Sequence, residues 1–249
     1  SIKIKKKFKP KKILEIGSND GSFLKNFDKK ISVGIEPCAN IEKITKRNRF
    51  NTIPEYWSYE LAKKLKKKYS EFDLIYSANT ITHIKNLNEV FKSINLILSR
   101  DGVLIIEDPS LLECIKRNTY DQFYNEHIYV FSTLSLKKIL YDFGLEIFKV
   151  EKLPIHGGSN RYYIKKKFSN RKIEASVKKC ENQEIKYGLK NIKTYLKFKT
   201  RVHKSKKKLL SIFSKFKKEN KKIIGYGATA KSTTILNYCN INNKLIDYF

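Results

Sequence analysis

The stretch that decides the fold of this chain is Ile13-Leu14-Glu15-Ile16-Gly17-Ser18-Asn19-Asp20-Gly21. An apolar run followed directly by a glycine turn is typical of a buried strand that leads into a helix of a parallel α/β sheet. Gly17 allows the backbone to turn sharply out of the strand, and Gly21 allows the following helix to lie close to the sheet. The stretch therefore predicts a Rossmann-like α/β fold with a ligand site above the end of this strand.

Acidic and polar residues at three predicted strand ends indicate the kind of ligand. Glu15 stands in an E-x-G-x-x-x-G spacing, which differs from the G-x-G-x-x-G of dinucleotide folds and suits the ammonium group of S-adenosylmethionine. Glu36 ends the second predicted strand, where a carboxylate can accept hydrogen bonds from both ribose hydroxyls. Asn79 follows another strand, and the carboxyl ends of parallel strands meet in one crevice. A generic Rossmann-like fold with a tight glycine turn is the alternative. The predicted cofactor-binding residues are Glu15, Gly17, Ser18, Asn19, Gly21, Glu36, Pro37 and Asn79.

Strand-like and helix-like segments alternate along the first two thirds of the chain, as in a parallel sheet covered on both faces. The predicted strands cover 12–16, 31–36, 72–77 and 102–107, with a closing antiparallel pair at 145–152 and 161–167. The predicted helices cover 59–69, 88–98 and 134–143, and one further helix is expected to run from the first glycine turn through Phe27.

The pattern changes after Asn170. Residues 172–222 carry apolar side chains at helical spacing and many lysines, which predicts one long helix or two. A strand at 222–226, a helix through Tyr238 and a short strand at 245–249 are predicted to begin a second α/β unit. We expect three parts: a cofactor-binding domain at 1–170, a lysine-rich helical spacer at 171–221, and the truncated start of a C-terminal Rossmann-like domain at 222–249. Because the chain contains no Met, we expect it to be an internal piece of a longer polypeptide.

The composition argues against nucleic-acid binding, although the chain has a strong positive charge. The chain has 53 Lys and Arg against 24 Asp and Glu, a net charge of +29. Only seven of the basic residues are Arg, whereas specific nucleic-acid contacts rely on the bidentate guanidinium. We therefore predict no nucleic-acid partner, and we expect the positive surface to assist capture of a phosphorylated small molecule.

Cysteine spacing and hydropathy indicate the cellular compartment in which the protein is expected. No two cysteines have C-x-x-C spacing, so we predict free thiols in a reducing compartment and no metal site within this chain. No apolar run approaches the roughly 20 residues of a membrane span, and no signal-peptide pattern opens the chain. We therefore expect a cytoplasmic protein without a membrane partner.

Six ordered motifs resemble those of the sugar C-methyltransferases. They lie at 15–24, 34–37, 78–79 with 83–84, 124–129, 156–161 and 225–231. The resemblance implies a class I methyltransferase fold and transfer of methyl from S-adenosylmethionine to C3 of a nucleotide-linked 4-keto-deoxysugar. It also implies an N-terminal zinc-binding domain and the rest of the C-terminal domain outside this chain, so zinc is expected only in that missing part.

Methylation of a carbon beside a ketone requires a base for the α-proton and a donor for the enolate oxyanion. Neutral imidazole is a suitable base near physiological pH, which favours His127. Glu126 can orient this ring or hydrogen-bond the sugar, and Tyr124 can donate to the oxyanion. The resemblance also assigns the base to His127 and implies a further tyrosine from the N-terminal part. The alternative is a structural histidine packed among aromatic side chains.

Two further glycine-containing segments are predicted to hold the substrate. Backbone N–H groups near His156, with Gly157, Gly158 and Ser159, are expected beside the sugar, and Arg161 near its diphosphate; a hairpin turn is the alternative. Lys231 follows a glycine turn that can cradle phosphate, although such turns are more often packing features. His83 is expected near the cofactor crevice, whereas His203, which lies among lysines, is expected at the surface.

Two other functions remain open from the sequence. A methyltransferase of the same fold that acts on oxygen or nitrogen needs no base for a carbon acid. A non-catalytic module that binds a sugar nucleotide or nucleic acid would not bind S-adenosylmethionine.

Overall fold

The computed structural model describes residues 1–248 and contains one seven-stranded mixed sheet. The strand order is β3-β2-β1-β4-β5-β7-β6; the first five strands are parallel, and β7 is antiparallel to both β5 and β6. This confirms the α/β class and the closing antiparallel pair. The strands are β1 (Ile13–Ile16), β2 (Ser32–Ile35), β3 (Thr52–Ile53), β4 (Phe72–Ala78), β5 (Leu98–Pro109), β6 (Leu145–Leu153) and β7 (Ser159–Lys166).

Helices follow most of the strands. The helix at Tyr59–Tyr69 has the predicted bounds, and those at Leu87–Ile97 and Thr133–Tyr141 lie within two residues of the predicted ones. The helices are α1 (Ile2–Phe8), α2 (Ala39–Arg47), α3 (Tyr59–Tyr69), α4 (Leu87–Ile97), α5 (Leu111–Arg117), α6 (Thr133–Tyr141), α7 (Ala175–Tyr187), α8 (Ile192–Lys218) and α9 (Ala230–Cys239). None of these described helices is long and apolar enough to cross a lipid bilayer.

Two hydrophobic layers cover the two faces of the sheet. In β1, Leu14 and Ile16 belong to the larger layer, whereas Ile13 belongs to the smaller one. This division follows from the alternation of side chains along a strand. Because both faces are covered, every residue of β1 and β2 is buried. The ligand-facing end of the sheet is thus held by a rigid, fully packed support.

The helix predicted from the first glycine turn through Phe27 is wrong. The structure forms only a single 3₁₀ turn at Leu24–Asn26, after which Phe27 is extended. Asp28 then accepts a hydrogen bond from the backbone N–H of Lys30 and begins another short turn. The buried side chains of Phe23, Leu24 and Phe27 have helical spacing, which explains the prediction, but the short connection to β2 is taken up by these two turns.

The strands predicted at 222–226 and 245–249 are wrong in extent, although Phe249 lies outside the described residues. They are reduced to one parallel bridge between Ile224 and Tyr248. The Asp247 side chain accepts from the backbone N–H of Ile223 at 2.7 Å, and Tyr226 is fully exposed. A parallel pair needs further strands to extend it, and within the described residues no third strand joins this one.

The lysine-rich segment consists of two helices, and the first of them is packed. In α7, Val177 and Cys180 are buried in the larger hydrophobic layer. Glu184 of the same helix is fully buried, and its two carboxylate oxygens accept from the backbone N–H groups of Thr133 and Leu134 at 2.7 and 2.9 Å. The segment therefore begins as part of the sheet domain, and the charge-rich, exposed helix is α8.

Candidate functional site

A cavity of about 1130 Å³ opens at the carboxyl ends of β1, β2 and β4. This is the edge at which open α/β sheets bind their ligands. Of the eight predicted cofactor-binding residues, the structure brings seven to the cavity wall: Glu15, Gly17, Ser18, Asn19, Glu36, Pro37 and Asn79.

The turn after β1 contains two glycines, and each of them has a positive φ and a close neighbour at its Cβ position. Gly17 has φ +74°, and a Cβ atom there would lie 2.2 Å from the Thr80 hydroxyl oxygen. Gly21 has φ +80°, and its Cβ position meets the Phe50 ring at 3.0 Å. Gly21 does not line the cavity, so its predicted role as a cofactor contact is not supported. Gly21 shapes the turn by its positive φ and by its close approach to the Phe50 ring, whereas the helix that it was predicted to bring close to the sheet does not form.

Glu36 holds the rim of the cavity in place. One carboxylate oxygen accepts from the backbone N–H of Asn19 and the other from the backbone N–H of Cys38, both at 3.0 Å. The second bond ties the carboxylate to the chain that follows β2. Glu36 therefore joins the glycine turn to the end of β2 and presents a fixed acceptor toward the cavity.

The wall of the cavity contains buried polar atoms for which the described chain supplies no partner. They include Glu15 Oε2, Ser18 Oγ and Trp57 Nε1. Buried polar groups are nearly always hydrogen-bonded, so these atoms indicate a polar ligand that completes them. A carboxylate, a hydroxyl and an indole N–H fit the ammonium, hydroxyl and ring acceptor groups of an amino-acid-bearing nucleoside.

Several wall residues were not predicted from the sequence. Tyr56 and Trp57 follow β3 and line the cavity, and Thr80 closes it beside Gly17. Trp57 is the sole tryptophan of the chain, which was a signal that could have singled out this loop. Thr80 had no such signal, since its approach to Gly17 depends on the pairing of β1 with β4.

A second, smaller space of about 100 Å³ adjoins the first, and we call it the reaction cavity. Its walls include Tyr124, His127, His156 and Lys231, and it shares Asn79 with the large cavity. The structure therefore places His127 on the same side of the sheet as the glycine turn, next to the predicted cofactor site. His83 is confirmed near the crevice, since it lines the large cavity with its ring centroid 5.1 Å from that of His127.

Two hydrogen bonds define the protonation of His127. Its Nδ1 lies 2.7 Å from the backbone carbonyl of Gln122, and its Nε2 lies 2.8 Å from the Tyr124 hydroxyl. A carbonyl oxygen only accepts, so Nδ1 carries the proton and Nε2 of the neutral ring accepts from Tyr124. Burial lowers the pKa of His127 from its ordinary value, the Gln122 carbonyl opposes this shift, and Lys231 lowers the pKa further. The ring is thus neutral near pH 7.

The group that orients His127 is the Gln122 carbonyl rather than Glu126. The Glu126 residue is exposed, and its side chain has no hydrogen bond to His127 in the described structure. Gln122 is buried, and its side-chain amide donates to the His156 carbonyl at 2.9 Å, which fixes the loop. Because the contact with His127 uses a backbone atom, no residue type in the sequence could have revealed it.

The predicted substrate residues divide into two groups. His156 and Lys231 line the reaction cavity, and Lys231 Nζ lies 3.4 Å from His156 Nδ1. Gly157 and Gly158 do not line it; their Cβ positions meet Thr119 and Glu113, so this loop packs on α5. Ser159 is buried, with its hydroxyl donating to the Ile155 carbonyl at 3.1 Å, and it too is absent from the cavity wall.

Arg161 is engaged elsewhere, so its predicted place beside a diphosphate is not supported. It stands directly opposite Glu107 of β5 and Glu151 of β6 in the sheet. Its Nε lies 2.6 Å from a Glu107 oxygen, and its Nη1 lies 3.3 Å from a Glu151 oxygen. Opposite charges in register on neighbouring strands attract each other. Both acids therefore hold the guanidinium within the sheet.

The fold and the cavity at its switch point define a class I, S-adenosylmethionine-dependent methyltransferase domain. A family model described as "Methyltransferase domain" matches residues 3–150, and the chain belongs to this family. A second family model, described as "C-methyltransferase C-terminal domain", matches residues 154–249.

Individual relatives agree with this assignment. The C-methyltransferase NovU of Streptomyces niveus is 25% identical over 238 residues, which are 95% of this chain and 57% of NovU. The chain thus spans little more than half the length of that relative. The solved PH0226 protein of Pyrococcus horikoshii OT3 is 18% identical, with a TM-score of 0.51 over 66% of this chain and 86% of that one. The solved protein NPUN_R0239 of Nostoc punctiforme is 17% identical, with a TM-score of 0.51 over 66% and 54%. These two structures agree with the fold alone.

Binding of S-adenosylmethionine is expected to release a proton from Glu15. Burial raises the pKa of this carboxyl to about 9, with the nearby Asp20 and Glu36 adding to the shift, so it is protonated at neutral pH without a cation beside it. A cationic ligand favours the carboxylate. The affinity should therefore rise with pH through the neutral range, by up to about tenfold per unit, and level off near pH 8, where the α-ammonium group of the ligand itself begins to lose its proton. Calorimetry at pH 7 in buffers of different ionisation enthalpy measures the released proton.

The matched controls are Glu15→Gln and Glu55→Gln. Glu15→Gln should bind S-adenosylmethionine more weakly and without proton release, whereas Glu55→Gln changes an exposed acid outside the cavity and should behave as the unaltered protein. A folded-state pKa above the unfolded value also means that Glu15 costs stability as pH rises toward 9, so Glu15→Gln should melt at a higher temperature at pH 8. Equal proton release from both variants would contradict the assignment.

Proposed function

We propose that this protein is a C-methyltransferase that methylates the carbon beside the ketone of a nucleotide-linked keto-deoxysugar. The observation that carries the proposal is the neutral His127 in the wall of the reaction cavity, held at Nδ1 by the Gln122 carbonyl and accepting at Nε2 from Tyr124. A transfer to oxygen or nitrogen needs no base for a carbon acid, whereas a transfer to carbon does. The C-methyltransferase name of the NovU relative and of the second family model supports the same chemistry.

We propose that the substrate displaces the Tyr124 hydroxyl from His127, and that this one displacement prepares both residues for catalysis. The Tyr124 hydroxyl occupies Nε2 of His127 at 2.8 Å, so a substrate carbon can reach this nitrogen only by displacing it. The released O–H is then free to donate to the substrate carbonyl oxygen, where negative charge develops as the α-proton leaves. Burial raises the pKa of Tyr124, so the phenol keeps its proton for this role.

The cofactor, when bound, supplies an electrophilic methyl group for the carbanion formed in this way. The residues of this chain that would hold it are Glu15 at its ammonium group and Glu36 at its ribose. Asn79 lines both the large cavity and the reaction cavity, so it lies where the two meet.

We propose that His156 and Lys231 hold the substrate from the other side. Lys231 makes no ion pair with any acid of the described chain, and it lies on the reaction-cavity wall. A phosphate oxygen would therefore meet an uncompensated positive charge there. Arg161, being paired with two carboxylates, takes no part in this contact.

The proposal is tested by incubating the protein with a nucleotide-linked 4-keto-6-deoxyhexose in D₂O. We expect deuterium to enter the carbon beside the ketone when S-adenosylhomocysteine fills the cofactor site, and methyl to appear on that carbon when S-adenosylmethionine replaces it. A product methylated on oxygen or nitrogen, or no methylated product, would refute C-methylation of this substrate class.

A further inference from the structure

The buried carboxyl group of Asp108, near the end of β5, takes no part in the proposed proton transfer. Asp108 is 1% exposed, and the next residue, Pro109, lines the reaction cavity. We infer that Asp108 is a positioning residue, which acts through the Thr82 hydroxyl to hold the loop that carries His127. The inference rests on the proposed function, since it concerns the group that is assigned there as the base.

Thr82 connects β5 with the His127 loop through its side chain and its backbone. Its hydroxyl donates to Asp108 Oδ1 at 3.1 Å, and both residues are buried. Its carbonyl oxygen accepts from the backbone N–H groups of Ile128 and Tyr129, at 3.0 and 3.2 Å. These two residues directly follow His127. Three hydrogen bonds that share one residue therefore join Asp108 to the loop of the proposed base.

The two partners differ in how firmly the sheet holds them. Asp108 belongs to β5, which is paired with β4 on one side and with β7 on the other. Thr82 lies in a single 3₁₀ turn, Ile81–His83, which belongs to no strand of the sheet. Such a short turn is not stable by itself, so its position depends on contacts with the rest of the protein. The sheet is thus the fixed part, and Asp108 is where the turn is attached to it.

Asp108 and Thr82 act from outside the cavities. Neither residue is among those that line the large cavity or the reaction cavity. A substrate in the reaction cavity would therefore contact His127 but not the Asp108 carboxyl. This placement fits a residue that acts through another one, and it does not fit a second general base.

The second oxygen of Asp108 indicates which replacement the site should tolerate. Asp108 Oδ2 and Asn160 Oδ1 are both buried without a hydrogen-bond partner in the described part of the chain, and the two residues stand directly opposite each other on β5 and β7. Burial raises the pKa of Asp108 to about 8, with the Thr82 hydrogen bond opposing the shift and Glu107 adding to it, so the carboxyl is protonated at neutral pH. A proton on Oδ2 is the donor that both oxygens lack. The neutral amide of Asp108→Asn offers the same acceptor and a donor in place of this proton.

The first test removes the Thr82 hydroxyl and keeps the shape of the side chain. Thr82→Val deletes the donor to Asp108, so the turn loses its attachment to β5. Because a misplacement of about 1 Å can cost about 10²-fold in rate, we expect kcat for methyl transfer to fall about ten- to hundredfold. Thr82→Ser keeps the hydroxyl and should retain most of the activity. A folded Thr82→Val variant with an unchanged kcat would overturn the inference.

Replacement of Asp108 separates positioning from proton transfer. Asp108→Asn should retain most of the activity and the pH profile of the unaltered protein, because it keeps an oxygen for the Thr82 hydroxyl. A loss as large as that of His127→Ala would make Asp108 part of the proton transfer itself and would overturn the positioning role. If Thr82→Val fails to fold because it buries a carboxyl oxygen without a partner, Thr82→Val/Asp108→Asn replaces it, with the same expected fall in kcat and the same criterion.

Thr45→Val is the matched control. Thr45 is fully buried, and its hydroxyl donates to the Glu42 carbonyl at 2.9 Å within α2, outside both cavities. This variant loses a buried hydroxyl as Thr82→Val does, yet its kcat should match that of the unaltered protein. Equal losses of kcat in the two variants would point to a general effect of lost stability and would overturn the inference.

Proton NMR follows the His127 ring without any turnover. Its Nδ1–H donates to the Gln122 carbonyl at 2.7 Å, so it should give a low-field resonance that is absent from His127→Ala. We expect this resonance to shift or broaden in Thr82→Val and to stay unchanged in Thr82→Ser and Thr45→Val. A resonance that Thr82→Val leaves unchanged would contradict the positioning role.

The two kinds of measurement separate this inference from the proposed function. A disturbed His127 resonance in Thr82→Val, together with no C-methylation of a nucleotide-linked ketone by the unaltered protein, would keep the positioning contact and remove the proposed reaction. C-methylation that requires His127 but proceeds at the normal kcat in Thr82→Val would keep the reaction and remove the inference. Retained binding of S-adenosylhomocysteine verifies that each variant is folded.

Discussion

Replacing His127 with alanine is expected to lower the rate of methyl transfer by about 10²- to 10⁴-fold, the usual contribution of a positioned general base. Affinity for S-adenosylmethionine should stay unchanged, because His127 does not line the large cavity. In the proposed reaction the neutral ring accepts the α-proton, and burial lowers the pKa of His127 below the ordinary value. At saturating S-adenosylmethionine, the rate of the unaltered protein should therefore be constant at neutral pH and fall only on the acid side of about pH 6.5.

The control is His203→Ala, which removes an exposed histidine outside the reaction cavity. At saturating substrate, its rate and acid limb should match those of the unaltered protein. Deuterium exchange beside the ketone separates the base from other roles, since it should disappear in His127→Ala even when methyl transfer is not measured. A His127→Ala variant that still exchanges deuterium at the normal rate would show that another group removes the proton.

Replacing Glu184 with alanine is expected to lower the free energy of unfolding by roughly 2–5 kcal/mol. Its two carboxylate oxygens accept from the first two N–H groups of α6, across about fifty residues of sequence, in a fully buried position. Deleting the carboxylate leaves the buried Thr133 N–H and the partly buried Leu134 N–H without partners, and each such loss costs about 1–3 kcal/mol when the group is buried. Denaturant unfolding, with the slope checked for two-state behaviour, measures the change.

Glu60→Ala is the matched control for this stability prediction. Glu60 lies in the first turn of α3 and pairs with Lys63, but its side chain is 72% exposed. The expected change is within about 0.5 kcal/mol, as for most exposed ion pairs. Similar losses in the two variants would mean that Glu184 contributes no more than a surface acid does.

Local patterns were sufficient for most of the sheet. The apolar run of β1 and the glycine turn after it indicated a parallel strand, and the structure places this strand between β2 and β4. The bounds of α3 followed from apolar residues at helical spacing, because one face of that helix is buried. The helical spacing of apolar residues up to Phe27 was misleading. The connection to β2 is short, and it forms a 3₁₀ turn there instead of the predicted helix.

The sequence indicated the parts of the site that depend on residues close together in the chain, and it did not indicate contacts between distant strands. Glu15 and Gly17 belong to a single turn, so the spacing of the motif already describes their arrangement. Arg161 was misplaced because its partners Glu107 and Glu151 come from two other strands, and only the sheet register brings them together.

The sequence alone determined the α/β class, the position of the glycine turn and the acidic residues at the strand ends, because these features depend on neighbouring residues and on side-chain periodicity. The tertiary structure alone decided which polar groups are buried and with what partners. Glu184 lies in a lysine-rich segment that resembles a solvated helix, yet it is fully buried against α6. His127 is oriented by a backbone carbonyl. Such contacts depend on packing between segments that are distant in the chain, or on main-chain atoms that every residue shares, so local residue patterns do not record them.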